Sequence, residues 1–379
     1  MKNKALFTIL LFGIVSLFGD IVYEGVRSIS GPFLASLGAT AFVIGFFSGL
    51  GEFLTYSLRF FSGYISDKKK LYWPLTIIGY SLICCLPFLA FTKIWQIAIL
   101  LILFERIGKA IRTPARDTLI SFVGENIGYG KSFGIHEVLD QIGAFLGPLI
   151  FFYSLEKMKK FSFAFHLMWI PCFFLIFTLI FLRKNYNFDI SERNPKKIKE
   201  NINQSFIYYL LFVFFSICGL INFPIIAYHI KIKNVISVSK IPIFYMIAMA
   251  IDGIIAIFIG YLYDKIKLKT LLLVPILTIF LPILTLSLNI YFIIIGCHET
   301  ILRASIADII TSSKRGFAYG IFNNIYGFGL FVGSSIVGFL YERNIKIIWI
   351  YTLIMETFSF VFLLLQLKKK NVMEKDRKI

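Results

Sequence analysis

Asp20, Glu24 and Arg27 interrupt an apolar run at spacings of four and three, which puts all three on one face of a helix. Arg106, Lys109 and Arg112 form a second stripe of this kind, and His136 and Asp140 stand four apart. Further along, Asp252 and then His298, Glu299 and Arg303 interrupt similar runs. An ionisable side chain at mid-bilayer costs at least ~2.5–3.5 kcal/mol on insertion scales, so each is by default a functional candidate. The chemistry open to them is proton binding, ion pairing or recognition of a charged solute. A proton coupler needs a carboxyl or imidazole tuned by burial and a nearby cation. Asp20, Asp140 and Glu299 fit that role by depth in their segments, and His136 fits by chemistry. The carboxylates could equally hold a cationic solute, and the arginines an anionic one. The competing reading is a set of structural pairs, with Asp20 or Asp140 opposite Arg106 and Glu299 with Arg303. Glu52 and Arg59, seven apart on one face, read as structural.

Enzyme chemistry fails on spacing. His136-Glu137 begins like H-E-x-x-H, but Asp140 stands where the second zinc-binding His belongs, and His298-Glu299 lacks it too. The glycines of Gly124 to Gly130 lead into Lys131-Ser132, but Glu125 stands where the first Gly of G-x-x-x-x-G-K-[ST] belongs, so the stretch is not a phosphate loop. The expectation is therefore a non-enzyme with no cofactor and no metal site.

These residues are carried by an unusually apolar chain. Of 379 residues, 58% are hydrophobic and only 16% charged, whereas soluble domains carry about 45–50% and about 25%. A soluble fold of this composition would expose large apolar patches and aggregate. The net charge of +18 sits in short clusters between apolar runs, the pattern of cytoplasmic membrane loops and not of a nucleic-acid face. All five cysteines lie inside apolar segments, so no disulfide framework is visible. The N-terminal run imitates a secretory leader, but Asp20, Glu24 and Arg27 fall where a cleavage region should follow, so it reads as a first span.

About 20 apolar residues cross a bilayer as a helix. On that measure the sequence predicts spans near 5–34, 41–64, 72–92, 95–120, 131–154 and 162–182. Six more follow, near 204–230, 238–262, 270–288, 290–312, 316–340 and 345–367. The polar, basic stretch between the sixth and seventh reads as a linker. The domains expected are thus a six-helix bundle over 1–183, a cytoplasmic linker over 184–203, a second bundle over 204–369 and a basic tail over 370–379. Lysines and arginines concentrate on the side shared by both termini, which predicts cytoplasmic termini.

The two halves repeat. Gly63-Tyr64 with Asp67 and Lys68 returns as Gly260-Tyr261 with Asp264 and Lys265, 197 residues on. Arg112 to Asp117 has a counterpart in Arg303 to Asp308 at offset 191. Phe133-Gly134-Ile135 with Gly143 and Gly147 matches Tyr319-Gly320-Ile321 with Gly329 and Gly333 at offset 186. Ordered matches at the second, fourth and fifth helix of each half indicate duplication of a six-helix unit. Six is even, so the copies insert the same way up, a parallel repeat of the kind found in transporters.

Over essentially its whole length the chain resembles the major facilitator superfamily. The family signature after the second helix is G-x-x-x-D-[RK]-x-G-[RK]-[RK]; Gly63, Asp67 and Lys68 match it, and Lys70 replaces the second Gly. The segments 101–121 and 133–148 are similar to a poorly characterised prokaryotic branch of that family. Gly143-x-x-x-Gly147-Pro148 resembles the fifth-helix motif of proton-coupled exporters, though Phe151 and Phe152 replace its later glycines; small-x-x-x-small packing is the alternative. The resemblance implies an all-α fold of twelve transmembrane helices in which helices one, four, seven and ten line a central cavity. It also implies a cytoplasmic gate, for which Gly63, Asp67, Lys68, Arg112, Arg116, Asp117, Gly260 and Asp264 are the matching candidates. The pathway candidates are Asp20, Glu24, Arg27, Arg106, Lys109, His136, Asp140, Glu299 and Arg303.

The function expected is secondary active transport of a small polar or ionisable solute by alternating access, in a monomer of the cell membrane. Protons are the expected coupling ion and export is preferred. An uptake symporter or facilitator of the same fold is the nearer alternative, and a non-transporting membrane sensor or assembly protein the more distant one.

Overall fold

The computed structural model describes residues 2–125, 127–185, 204–279 and 315–376, together with 302, 305, 306 and 309. Every long element is a helix, and no strand occurs among the described residues. In hydrocarbon each backbone donor and acceptor must be satisfied within the segment, which leaves helices as the form available to long apolar runs. They are α1 Lys2–Ser36, α2 Ala41–Lys69, α3 Tyr72–Ser81, α4 Trp95–Gly124, α5 Tyr129–Met158, α6 Phe161–Leu167 and α7 Trp169–Asn185. There follow α8 Gln204–Gly219, α9 Phe223–Ile232, α10 Ile241–Ile266, α11 Leu273–Ile279, α12 Arg315–Arg343 and α13 Ile345–Asp376. Among the described residues, eight helical stretches are long and apolar enough to cross a bilayer. α4 is not one of them, because the charged residues from Glu105 to Asp117 dilute its apolar run.

Several spans are interrupted, each at an identifiable residue. The third continues from α3 into a 3₁₀ stretch, Leu82–Phe91, that contains Pro87. The seventh breaks between α8 and α9: α8 ends at Gly219, and Pro224, which has no N–H to give, sits in the first turn of α9. The Asn222 carbonyl accepts the Ile225 and Ile226 amides at 3.1 and 3.4 Å and so starts the second piece. The expected linker beyond residue 185, the second half of the expected ninth span and most of the tenth lie outside the described residues.

The described residues form two compact units. The first comprises Met1–Ala39, Leu54–Arg193 and Ala227–Met246. In it α1 packs chiefly on α5, with further contacts to α7 and α4, and α3 packs on α4. The α2–α4 contact is polar as well as apolar: Thr55 Oγ1 donates to the Arg106 carbonyl at 3.3 Å and Ser62 Oγ to the Ala110 carbonyl at 2.7 Å. The second unit comprises Thr40–Phe53, Asn194–Ile226 and Ile247–Ile379, centred on α8 with α13 and α12 against it. The first turns of α2 belong here because they lie on α12: a Cβ at Gly49 would stand 2.8 Å from Phe331 Cα, and the Phe42 amide donates to Glu342 Oε1 at 2.7 Å.

The repeat read from sequence is visible in the packing. Gly143 and Gly147 of α5 bring that helix onto the Leu17 and Ile21 carbonyls of α1. Gly329 and Gly333 of α12 bring theirs onto Phe214 and Cys218 of α8, with a Cβ at Gly333 only 2.5 Å from the Cys218 carbonyl oxygen. The glycines are related by the offset 186, and the residues they meet by 197, the offset of the Gly-Tyr phrase.

Candidate functional site

The charged stripes of α1, α4 and α5 meet inside the first unit. Tyr23 of α1 is at the centre. Its hydroxyl accepts hydrogen bonds from Arg106 Nη1 at 2.5 Å and from Arg27 Nη1 at 2.9 Å. Lys109 Nζ and the Arg106 guanidinium face its ring at 4.0 and 4.8 Å from the centroid, within cation–π range. Glu105 is 1% exposed, and its carboxylate lies 3.7 Å from both Arg106 Nε and Arg112 Nη2. Arg112, 3% exposed, also packs over the Tyr80 ring at 5.1 Å and donates to the Gly79 carbonyl at 3.5 Å.

One helical turn on, Arg116 pairs with Asp117 at 2.8 Å and donates to Ser16 Oγ of α1 and Tyr80 Oη of α3 at 3.2 and 3.4 Å. His136 Nδ1 lies 3.6 Å from Asp140 Oδ2 on α5, and both residues are within electrostatic range of Arg116. Asp20 lies within range of Asp140, Lys109, Glu24 and Arg112. Glu24, also buried, accepts a hydrogen bond from Tyr245 Oη of α10 at 2.5 Å and lies 3.9 Å from Arg27. With His136 neutral and the other groups ionised, Asp20, Glu24, Glu105, Asp117 and Asp140 balance Arg27, Arg106, Lys109, Arg112 and Arg116, so the cluster is then neutral in sum. Glu105 Oε1, His136 Nε2 and Asp140 Oδ1 are buried and make no hydrogen bond among the described residues.

Such a site can exchange partners at low cost. Protonating one carboxylate, or bringing in an ionic solute, releases a cation that neighbouring acids are placed to accept.

The structure therefore brings Asp20, Glu24, Arg27, Arg106, Lys109, His136 and Asp140 of the expected pathway into one network. Arg112, Arg116 and Asp117, expected at a gate, share it. Glu299 and Arg303 lie outside the described residues, as does the side chain of Asp264, while Gly260 lies in α10. Asp67 is exposed and accepts a hydrogen bond from Tyr72 Oη at 3.1 Å, Lys68 lies over the Tyr64 ring at 5.6 Å, and Gly63 faces Pro114. Gly143, Gly147 and Pro148 are buried where α5 meets α1. Sequence reasoning had not singled out Glu105, Tyr23, Tyr80, Ser16 or Tyr245. Glu105 carried a usable signal, an acid beside Arg106 within a span. The tyrosines and Ser16 carried none, because such residues are ordinary in membrane helices.

The model of the Major Facilitator Superfamily matches residues 9–298. An uncharacterized protein of Mycobacterium tuberculosis is 32% identical over 372 residues, covering 93% of this chain and 91% of that one. An uncharacterized MFS-type transporter of Methanocaldococcus jannaschii is 25% identical, covering 93% of each. Among solved structures, the nucleoside transporter NupG aligns with a TM-score of 0.69 at 15% identity, covering 95% of this chain and 98% of that one. A bacterial homolog of the human lysosomal transporter Spinster aligns with a TM-score of 0.72 at 13% identity, covering 96% of both. Family match, paired glycine contacts and interrupted spans agree, and the chain belongs to the major facilitator superfamily of multi-pass membrane transporters.

Proposed function

We propose that this protein is a secondary active transporter that moves a small polar or ionisable solute across the cell membrane by alternating access, driven by protons and working as an exporter. The observation that carries the reading is the buried network of α1, α4 and α5, centred on Tyr23, Arg106 and Glu105. A membrane protein without a pathway has little reason to keep so many charges within apolar spans. Charges of both signs favour a polar or ionisable solute over a lipophilic one. Asp20, Asp140 and His136 are the groups assigned to proton binding, and the arginines to the solute or to the empty-state counter-charge.

The two bundles, 1–183 and 204–369, rock about a midplane site, with 184–203 joining them and 370–379 as a basic tail. Asp67, Lys68 and Asp264, with Gly63, Gly260, Arg112, Arg116 and Asp117, form the cytoplasmic gate. The concentration of basic residues on one side places both termini in the cytoplasm. The protein works as a monomer.

Counterflow in proteoliposomes, using solutes found by a thermal-shift screen of metabolites and drugs, tests this reading. Accumulation should depend on an imposed pH gradient and fall in D20N, D140N and R106Q. Accumulation indifferent to pH removes the proton coupling, and the sign of its dependence separates export from uptake. Flux no greater than in protein-free liposomes, and no different in D20N and R106Q, would favour the non-transporting sensor.

A further inference from the structure

Glu356 lies outside the network of the first unit and has no part in the proposed pathway. It sits on α13 in the second unit, wholly buried against α8. Neither of its carboxylate oxygens makes a hydrogen bond among the described residues. The hydroxyls of Ser216 on α8 and Ser359 on α13 lie within hydrogen-bonding reach of it and are equally buried, although neither completes a well-formed hydrogen bond. No basic side chain acts on it among the described residues; the titratable neighbours are Cys218 and Tyr351. An ionised carboxylate buried this way is strongly disfavoured unless something positive compensates it.

The surroundings are built from hard oxygen donors at a break in a span. α8 ends at Gly219, so its last turn, from Ser216 to Gly219, carries carbonyls without helical partners and the negative end of the helix dipole. The Cys218 carbonyl accepts a hydrogen bond from Tyr351 Oη at 3.0 Å, and the Gly219 carbonyl accepts one from Thr352 Oγ1 at 3.2 Å, which leaves each oxygen a second lone pair. Gly219 has no side chain where one would intrude: a Cβ there would stand 2.7 Å from Glu356 Oε1. Carboxylate, hydroxyls and helix-end carbonyls suit a hard cation, and a single negative charge matches a monovalent one. The two hydroxyls and the carboxylate, none of them in a well-formed hydrogen bond, present their oxygens to one another closely enough to share a ligand.

We infer that Glu356, with Ser216, Ser359 and the C-terminal turn of α8, forms a sodium-ion site in the second half of the transporter. It is separate from the proton-binding groups of the first half. Its use as a coupling site rests on the transport reading above, but binding does not, and the two are measured apart. Sodium binding without solute flux would fail that reading and leave this site standing, and flux without sodium binding would do the reverse.

The test is ²²Na⁺ binding to the purified full-length protein, with its melting temperature followed as NaCl replaces choline chloride at constant ionic strength and pH. Saturable binding and a Na⁺-specific rise in melting temperature are expected, since a ligand of the folded state alone stabilises it by mass action. E356Q should lose both, and S216A/S359A should weaken binding roughly 10–100-fold, the range seen when groups around a metal are removed. Absence of a Na⁺ effect in the wild type, or its persistence in E356Q, overturns the inference. So does stability that follows pH but not Na⁺, which would mark a protonated carboxyl. Should E356Q not fold, wild-type affinity in S216A/S359A overturns it as well.

Discussion

Tyr23 accepts a hydrogen bond from Arg106 Nη1 at 2.5 Å, and the same guanidinium lies 4.8 Å from the centre of its ring. One neutral side chain of α1 thus holds the most central cation of α4 by both its lone pair and its face, with Lys109 and Arg27 sharing the arrangement. The phenol orients the cations without neutralising them, so their charge remains for the acids around them or for a solute.

Y23F keeps the ring and removes the acceptor. It should fold, lose about 0.6–2 kcal/mol of stability in detergent, the range for interhelical hydrogen bonds in membranes, and reduce counterflow more than it reduces stability. Y23A removes the ring as well and should be the more damaging of the two. Equal flux in Y23F and wild type would show that the hydroxyl is only structural.

Glu105 is the acid shared by Arg106 and Arg112. E105Q leaves both cations without it inside the unit and should cost about 3–5 kcal/mol, as removing one partner of a buried pair does. Removing charge from both sides, as in E105Q/R112M, should recover much of that loss. Reversible denaturation in mixed micelles measures both, and a double variant no more stable than E105Q contradicts the pairing.

Gly147 and Gly333 occupy matching positions, and neither has room for a methyl group: the added Cβ would lie 2.8 Å from the Gly25 amide in one case and 2.7 Å from Cys218 Cα in the other. G147A and G333A should each destabilise the protein by about 1–3 kcal/mol, the usual cost of overpacking. Gly134 on the same α5 helix has nothing within 4 Å of its added Cβ, and G134A should be neutral or stabilising by up to about 1 kcal/mol. Thermal midpoints of the three variants decide the matter, and a tolerated G333A would break the symmetry between halves.

Glu24 and Tyr245 meet across 221 residues of sequence within the first unit. A double-mutant cycle of E24Q and Y245F should give a coupling energy of about 0.5–2 kcal/mol. Additive losses would mean the contact contributes nothing of its own.

What the sequence made legible is what repeats or costs energy locally. The Gly-Tyr phrase at 63 and 260 and the glycines at 143, 147, 329 and 333 located the duplication, because close helix approach admits little but Gly. The stripes on α1, α4 and α5 stood out because ionisable groups in apolar runs are rare and their spacing is fixed by the helix. Glu356 offered the same signal, an acid in the middle of the last span, and was passed over because it has no charged neighbour at helical spacing to form a stripe.

The pairings were not legible. Glu105 with Arg112, Tyr23 with Arg106 and Lys109, Glu24 with Tyr245 and Arg116 with Ser16 all depend on which helix lies against which and at what rotation. Nor did hydropathy reveal the break at Gly219 to Phe223, since Leu220 and Ile221 keep the run apolar and Asn222 is a single polar residue within it. Composition, charge placement and the internal repeat by themselves determined a duplicated, all-helical membrane protein with charged faces in its first, fourth and fifth spans. Tertiary structure alone decided which charges share a site and which acid has no basic neighbour among the described residues. A helix fixes only which of its own residues share a face, whereas partners on other helices are chosen by packing over the whole chain.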